Sequence, residues 1–588
     1  MLADVDDVLS RALRAAVHGE VCVDPGTRAL YATDASNYRV PPRVVVLPRS
    51  AEDVSAVMGI CREQGVPLTP RGAGTSIAGN AIGPGVILDF SRHLDAVLDL
   101  DPVARLARVQ PGVVLDTLQA AAAPHGLRFG PDPSSHSRCT LGGMIGNNAC
   151  GIRSVAWGTT AAAVEELLVL LPDGSQLRAG AGLTSEVAAW EREHRELIRA
   201  ELPDWPRRGS GYALQHLLPE HGSQLARALV GTEGTCAVLL EATVRLITPP
   251  PAVALLVLGF PDVVTAADAV PGLLGCAPLT VEGMDAALID VLRARGRPVA
   301  ALPEGAAWLL VEFGAGELGD AVASAQAVAA EAGRPHLVVA DPGHRAALWR
   351  IREAGAGLAT RLADGTQAWP GWEDTTVPPE RLGDYLRGFA DLLVSCGRRG
   401  AVYGHFGEGC VHVRLDADLA STDGRREFRW FVEQAAELVV AHGGSLCGEH
   451  GDGRARGELL GRMYPPAVLE LFAQFKAIFD PAGLLNPGVL VNARPLDADL
   501  RVGRERPVPV SLALGRDGGS LAAATQRCVG VGACRALDGP GVMCPSFQVT
   551  REEKHSTRGR AHLLAEMLAG DLVTGGWRSD AVDEALDL

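Results

Sequence analysis

Two short stretches of this chain carry side chains that could do chemistry. Residues 401–415 read AVYGHFGEGCVHVRL, two apolar runs parted by Gly-Glu-Gly, the mark of a β-hairpin. With Glu408 and Gly409 as a two-residue loop, His405 and His412 are symmetric about it. They then oppose each other across the strands, with Cβ atoms about 4.5–5.5 Å apart, and Tyr403 and Arg414 come next on the same face. Residues 443–453, GGSLCGEHGDG, set Glu449 and His450 among glycines. Two imidazoles and a carboxylate can hold one divalent ion and leave positions open for a substrate hydroxyl and carboxylate. His450 could then take the hydroxyl proton as a general base. The alternative is two core histidines in a hairpin and an ion-paired glutamate, and this stretch alone leaves both readings open.

The elements around these groups follow from periodicity. RVVVLP (43–48) is a strand, and residues 50–65 form an amphipathic helix capped by Ser50. VPLTP (66–70), GVILDF and ARVQPGV are further strands, and VLDTLQAAAAPHG is a helix ending at glycine. A strand-rich block runs from about 250 to 415 and a helical one from 425 to 480, with no internal repeat. After residue 491, prolines, arginines and glycines read as a linker.

Glycine-rich segments punctuate the first block. Residues 70–79 read PRGAGTSIAG directly after a strand. Gly72 and Gly74 let backbone N–H groups turn toward an anion, and Thr75 and Ser76 add hydroxyl donors. The third glycine comes two residues too late for the dinucleotide fingerprint, so by itself the loop reads as a tight turn. Residues 131–135 (PDPSS) and 140–151 (TLGGMIGNNACG) follow, the latter too rich in Gly and Asn for a regular helix or strand and so expected to be backbone pressed against something flat. GTEGT (231–235) precedes another strand. Together these segments resemble the flavin domain of the vanillyl-alcohol oxidase class. The resemblance implies FAD, with its pyrophosphate on the first loop and the isoalloxazine near the second. It assigns to the cofactor Arg71, Gly72, Ala73, Gly74, Thr75, Ser76, Pro131, Asp132, Ser134, Ser135, Thr140, Gly142, Gly143, Asn147, Asn148, Ala149, Gly151, Glu233, Gly234 and Asn486.

Inside a flavoprotein, the histidines weigh toward the metal reading. The whole stretch from about 40 to 490 resembles the FAD-dependent D-2-hydroxy acid dehydrogenases: cytochrome-linked D-lactate dehydrogenase, D-2-hydroxyglutarate dehydrogenase and the glycolate oxidase flavin subunit. FDPAGLLNPG (479–488) matches the closing signature of that family. By this resemblance His405, His412 and Glu449 are the metal ligands, usually for zinc, and His450 is the base. Arg352, in LWRIR (348–352), is the arginine for the substrate carboxylate. The chain departs from the family twice. Trp372 stands where the 2-hydroxyglutarate enzymes carry a lysine, and Arg414 stands where a small polar residue is common, as though a cation had moved from one wall of the site to the other.

The implied fold is α+β: a two-subdomain FAD-binding domain of the vanillyl-alcohol oxidase (PCMH) type over 1–250, and an α+β substrate and metal domain with an antiparallel sheet over 251–492. A linker (493–520) and a helical, partial ferredoxin-like segment (521–588) follow. The implied activity is oxidation of a D-2-hydroxy acid at its CH–OH carbon, with electrons passed to an iron–sulfur, quinone or cytochrome-type acceptor and not to NAD. The rivals are a redox-neutral flavin transferase of the alkyl-dihydroxyacetone-phosphate synthase type and a non-catalytic electron-transfer subunit.

Composition sets the outer bounds. A net charge of −16, from 70 acidic and 54 basic residues, argues against non-specific nucleic-acid binding. The two lysines, Lys476 and Lys554, sit in no phosphate-binding loop of the G-K-[ST] kind. No apolar run approaches the ~18–20 residues of a membrane span, and the N-terminus lacks the order of a secretory signal. Cytoplasmic residence is expected, with docking on the inner membrane face and a homodimeric state left open. The cysteines should then be thiols or metal ligands. Cys528, Cys534 and Cys544-Pro545 resemble three positions of an iron–sulfur run, with Val531 in place of another cysteine and six inserted residues before Cys544. Three ligands do not complete a 4Fe–4S site, so the expectation is a shortened or split relative of a longer fusion, whose cluster requires a partner subunit.

Overall fold

The computed structural model describes the chain apart from residues 1, 204, 206, 354, 538–542 and 588, and apart from the side chains of 2–7 and 356. The insertion expected before Cys544 therefore lies largely outside the described residues.

Three sheets carry the fold. The first has four strands, with Val44–Leu47, Val86–Asp89 and Leu68–Arg71 parallel and Glu20–Cys22 antiparallel at one edge. Two of its parallel strands, Val44–Leu47 and Val86–Asp89, are buried along their length, which is why they read as apolar runs. The helix Ala51–Gln64 begins on the Ser50 cap and ends on Gly65 in the left-handed region. The second sheet is antiparallel, built on the long strand Val238–Ile247, which pairs with Leu106–Val109 on one side and Val164–Leu170 on the other. The third is a seven-stranded antiparallel sheet whose last three strands are Gly400–Gly404, Cys410–Leu415 and Trp369–Thr376.

Both faces of this third sheet are covered. In the strand Ala252–Phe260, Ala254, Leu256 and Leu258 join a core with the helices Val263–Leu274 and Leu318–Ala332, while Leu255 and Val257 pack on the other side with Leu288 and Leu348. The longest apolar run of the sequence is thus a central strand. No helix among the described residues is long and apolar enough to cross a membrane.

The segment 493–520, expected as a linker, runs close against the body. Leu496, Leu500 and Val502 are buried, Tyr38 Oη donates to the Leu496 carbonyl (2.6 Å), and Arg501 N–H to that of Asn37 (2.9 Å). Beyond it, the described residues form short helices packed on the first sheet, Leu563, Met567 and Val582 meeting Val45 and Ile87. Here the chain returns to the first glycine-rich loop. Arg558 and Arg535 each donate to the Ala73 carbonyl (2.9 and 2.7 Å), and Arg138 Nε donates to the Val531 carbonyl (2.6 Å). Glu553 clamps Arg558 with both oxygens, at 2.7 and 2.8 Å.

Candidate active site

The hairpin forms, but not with the expected symmetry. Tyr403 pairs with His412 and Ala401 with Arg414, two residues out of the register that a Glu408-Gly409 loop requires. The reason is a single tight turn, Phe406–Glu408, closed by Gly409 at φ +69°, where a Cβ would lie 1.7 Å from the Val377 carbonyl oxygen. His405 therefore stands at the strand end instead of opposite His412. Their rings still meet edge to face, with centroids 5.1 Å apart, and His450 stacks on His412 at 5.0 Å.

Glu449 joins these rings. His405 Nε2 lies 2.9 Å from Glu449 Oε1, and its Nδ1 2.6 Å from Glu282 Oε1. Burial and Arg207 pull the His405 pKa down, but the two carboxylates prevail and hold it above the usual value. Burial holds His412 well below the imidazole range, with His450 and His405 adding to the effect, so it is neutral and its Nδ1 has no hydrogen-bond partner. Glu449 is driven well below the carboxylate range despite burial, chiefly by Arg207 and His405. The atoms closest to sharing one ion belong to Asp374, His412, Glu449 and His450, all within 4.8 Å of one another. His405 stands one contact further out, behind Glu449. A neutral imidazole and an ionised carboxylate are the donors a divalent ion needs, so the residues fit one.

Sequence patterning missed what fixes this cluster. Asp374, fully buried at φ +69°, accepts the N–H groups of Gly448, Glu449 and His450 at 2.8, 2.6 and 2.7 Å. Arg207, also at positive φ, donates to Glu449 Oε1 (2.9 Å) and Ser154 Oγ (2.7 Å) and pairs with Glu408. Glu449 Oε2 in turn accepts from Cys150 and Gly151 N–H, at 2.6 and 2.9 Å, tying the base loop to the second glycine-rich segment.

That segment is partly helical, contrary to its composition. Leu141–Asn147 forms two turns because Thr140 caps it and Leu141, Met144 and Ile145 bury one face, and Asn148 ends it in the left-handed region. An open cleft runs from the first glycine-rich loop past this helix to the histidines. Arg71 through Ser76, Ser134, Ser135, Thr140, Gly142, Gly143, Asn147, Ala149, Glu233 and Gly234 line it, as do Arg138 and Val531, which were not anticipated. Five expected cofactor residues do not. Pro131 is not part of the lining, Asp132 pairs with Arg153, and Asn148 Oδ1 accepts from Ala161 N–H. Gly151 binds Glu449, and Asn486 Nδ2 donates to the carbonyls of Asn80 and Glu233. Arg71, although on the lining, turns its guanidinium to the Thr33 and Ala81 carbonyls, at 3.0 and 3.1 Å.

One lining residue couples the site to pH. Burial and Asp452 push the Glu233 carboxyl up to about 8, and burial pushes Asp452 up to about 6. Both bind protons more tightly folded than unfolded (about 4 in the open chain). Their stabilising contribution is therefore full at low pH and is lost as pH rises toward 8. The thermal midpoint of the cofactor-free protein should fall between pH 6 and 8, and Asp452→Asn should flatten that slope in scanning fluorimetry. Equal slopes in the two proteins would place its origin elsewhere.

The expected substrate residues all reach the cleft. Arg352 lines it, its NH2 2.6 Å from Glu282 Oε2 and its guanidinium over the Tyr403 ring. Arg414 lines it beside Glu373, with Nε 2.7 Å from Oε1. Trp372 does not form a wall. Bulges on either side of it turn the indole into the core, where it donates to Tyr385 Oη at 2.9 Å. At the C-terminus, Cys534 and Cys544 share a small buried cluster with Phe547, and Cys528 is half-buried. None of the three is joined in a disulfide.

With this geometry in view, likeness to known proteins can be weighed. Residues 42–180 match the family described as FAD binding domain, and residues 249–490 the one described as FAD linked oxidases, C-terminal domain. D-2-hydroxyglutarate dehydrogenase of Pseudomonas putida is 32% identical, the match covering 96% of this chain and 60% of that protein. The chain thus spans about 60% of the length of such relatives. The glycolate oxidase subunit GlcD of Escherichia coli is 31% identical over 77% of this chain and 84% of its own. Among solved structures, substrate-bound p-cresol methylhydroxylase superposes with a TM-score of 0.62 at 14% identity, covering 84% of this chain and 98% of that one. 4-Ethylphenol oxidase from Gulosibacter chungangensis gives 0.59 at 16%, covering 84% and 97%. At such identities these two show the fold alone, a PCMH-type flavin fold.

Proposed function

Since the chain belongs to the FAD-linked oxidase family, we propose that it oxidises a D-2-hydroxy acid to the 2-oxo acid, using FAD and a divalent ion. The observation that carries this reading is the continuity of the cleft. The glycine-rich segments and the His412, Glu449 and His450 cluster line one space, so a flavin on the former faces whatever the latter holds.

Bound FAD would supply the hydride acceptor, and a divalent ion, zinc by family resemblance, a Lewis acid for the hydroxyl and carboxylate. His412 and Glu449, with His405 behind them, are the residues that would hold the ion. Arg352 orients the substrate carboxylate. His450, on the lining of the cleft beside His412, accepts the hydroxyl proton on its imidazole. Its side chain is 25% exposed, the least buried of the cluster. Asp374 holds the His450 backbone in place. The same reading puts the protein in the cytoplasm, with an iron–sulfur, quinone or cytochrome-type acceptor, and has a partner subunit complete any cluster at Cys528, Cys534 and Cys544.

Anaerobic mixing of the yellow protein with D- and L-2-hydroxy acids should bleach the flavin with one D-acid. A chelator should abolish the bleaching and added zinc restore it. Absence of bleaching by every acid, with FAD and metal bound, would overturn the proposal.

A further inference from the structure

We propose that Glu282 is a positioning residue for both ends of the site: its one carboxylate fixes the imidazole of His405 on the metal side and the guanidinium of Arg352 on the substrate-carboxylate side. The inference rests on the metal-dependent oxidation proposed above. It adds a residue that does not itself line the cleft.

Three elements meet at this side chain. Glu282 lies on the strand Thr280–Asp285, which is paired on both sides, with Ala307–Ala315 and with Gly400–Gly404. The next residue, Gly283, stands opposite Gly404, and a Cβ on it would lie 2.4 Å from the Phe406 ring. The tight turn that follows His405 therefore packs directly on this strand. Arg352 comes from the last turn of the helix Pro342–Glu353. Glu282 is 1% exposed, so its carboxylate is answered by these neighbours and not by water.

Each oxygen has its own partner. Oε1 lies 2.6 Å from His405 Nδ1, and Oε2 lies 2.6 Å from Arg352 Nη2. A nitrogen lone pair would be repelled by a carboxylate oxygen at that distance, so Nδ1 carries a proton and donates it, and Nε2 is the atom turned to the site. Nε2 points at Glu449, 2.9 Å from its Oε1. A carboxylate on the far nitrogen is the usual device that fixes the tautomer and ring orientation of a metal-binding histidine. On the other side, Glu282 and the Tyr403 ring hold the Arg352 guanidinium between them, its Cζ 5.1 Å from the ring centroid. A guanidinium recognises a carboxylate through a planar fork, so the plane in which it is held decides how well it orients the substrate. Through Glu282 the metal side and the carboxylate side are thus set relative to each other by one rigid strand.

The test is Glu282→Gln in the FAD-loaded full chain, which keeps the size of the side chain and removes its charge. Zinc affinity is read by chelator competition without substrate, and KM and kcat for the D-2-hydroxy acid are read at saturating zinc. Zinc should bind about 10–100-fold more weakly. KM should rise about tenfold, with a smaller change in kcat, as Arg352 loses its anchor. Arg352→Lys, measured alongside, should raise KM and leave zinc affinity unchanged, so that the paired shift belongs to Glu282. If the Gln variant does not fold, Glu282→Asp, which keeps the charge but is too short to reach both partners, is measured in the same way with the same two shifts expected. A folded variant whose zinc affinity or KM is unaltered overturns the inference and leaves the dehydrogenase reading intact. Failure of every acid to reduce the flavin of the unaltered, zinc-loaded protein removes both.

Discussion

Replacing His450 with alanine is expected to slow flavin reduction by a D-2-hydroxy acid about 10²–10⁴-fold, the usual contribution of a positioned general base. FAD content and substrate KM should change little. The imidazole is stacked on His412 and its side chain is 25% exposed on the lining of the cleft, so alanine removes a reactive group without hollowing a packed core. The residue's backbone remains held by Asp374, which keeps Glu449 in place. Rapid-mixing single turnovers at saturating substrate separate this from a binding effect. A loss of less than about tenfold would remove His450 from the role of base.

Asp374→Asn is expected to have the second largest effect, and to act on architecture before chemistry. Its Oδ2 gathers three consecutive N–H groups, an anion-binding concavity filled from within the protein. Its pKa is held below the usual value despite full burial, by His450 and by these backbone donors. An amide removes the charge and, in one of its two orientations, turns a donor toward three donors. With hydrogen bonds to charged groups each contributing about 1.5–3 kcal/mol, the loss should be roughly 3 kcal/mol. The thermal midpoint should fall by several degrees, and metal content of the purified protein should fall with it. An Asn variant with wild-type stability and full metal content would show that the base loop is held by Arg207 and Glu449 alone.

What could be read from the sequence was local. The Ser50 cap, the parallel strands and the glycine-rich loops are set by neighbours in the chain, and so is the proximity of His405 and His412 within one hairpin. The register of that hairpin was misjudged because a tight turn replaces the two-residue loop, and the composition of the turn does not distinguish them. The helix 141–147 was missed because a threonine cap and one buried face outweigh the poor propensity of its glycines. Asp374 and Arg207 left no trace in any pattern. Their partners lie 74 to 76 residues away for Asp374 and 242 for the Arg207–Glu449 bond, and only the assembled fold brings them together. Trp372 was placed on the site because it stands where the 2-hydroxyglutarate enzymes carry a lysine, but in the fold its indole lies in the core, between two bulges.

The return of the chain onto its first glycine-rich loop also sets a schedule. The carbonyl of Ala73 waits for a guanidinium 485 residues further on. At about 5–20 residues per second, a ribosome needs roughly 25–100 s to supply it. During that interval the cleft lacks Val531 from its lining, and the first sheet lacks the helices that cover one of its faces. A nascent chain that takes up its cofactor early must do so without Val531 and Arg558, and then has the site closed over it by a segment made much later.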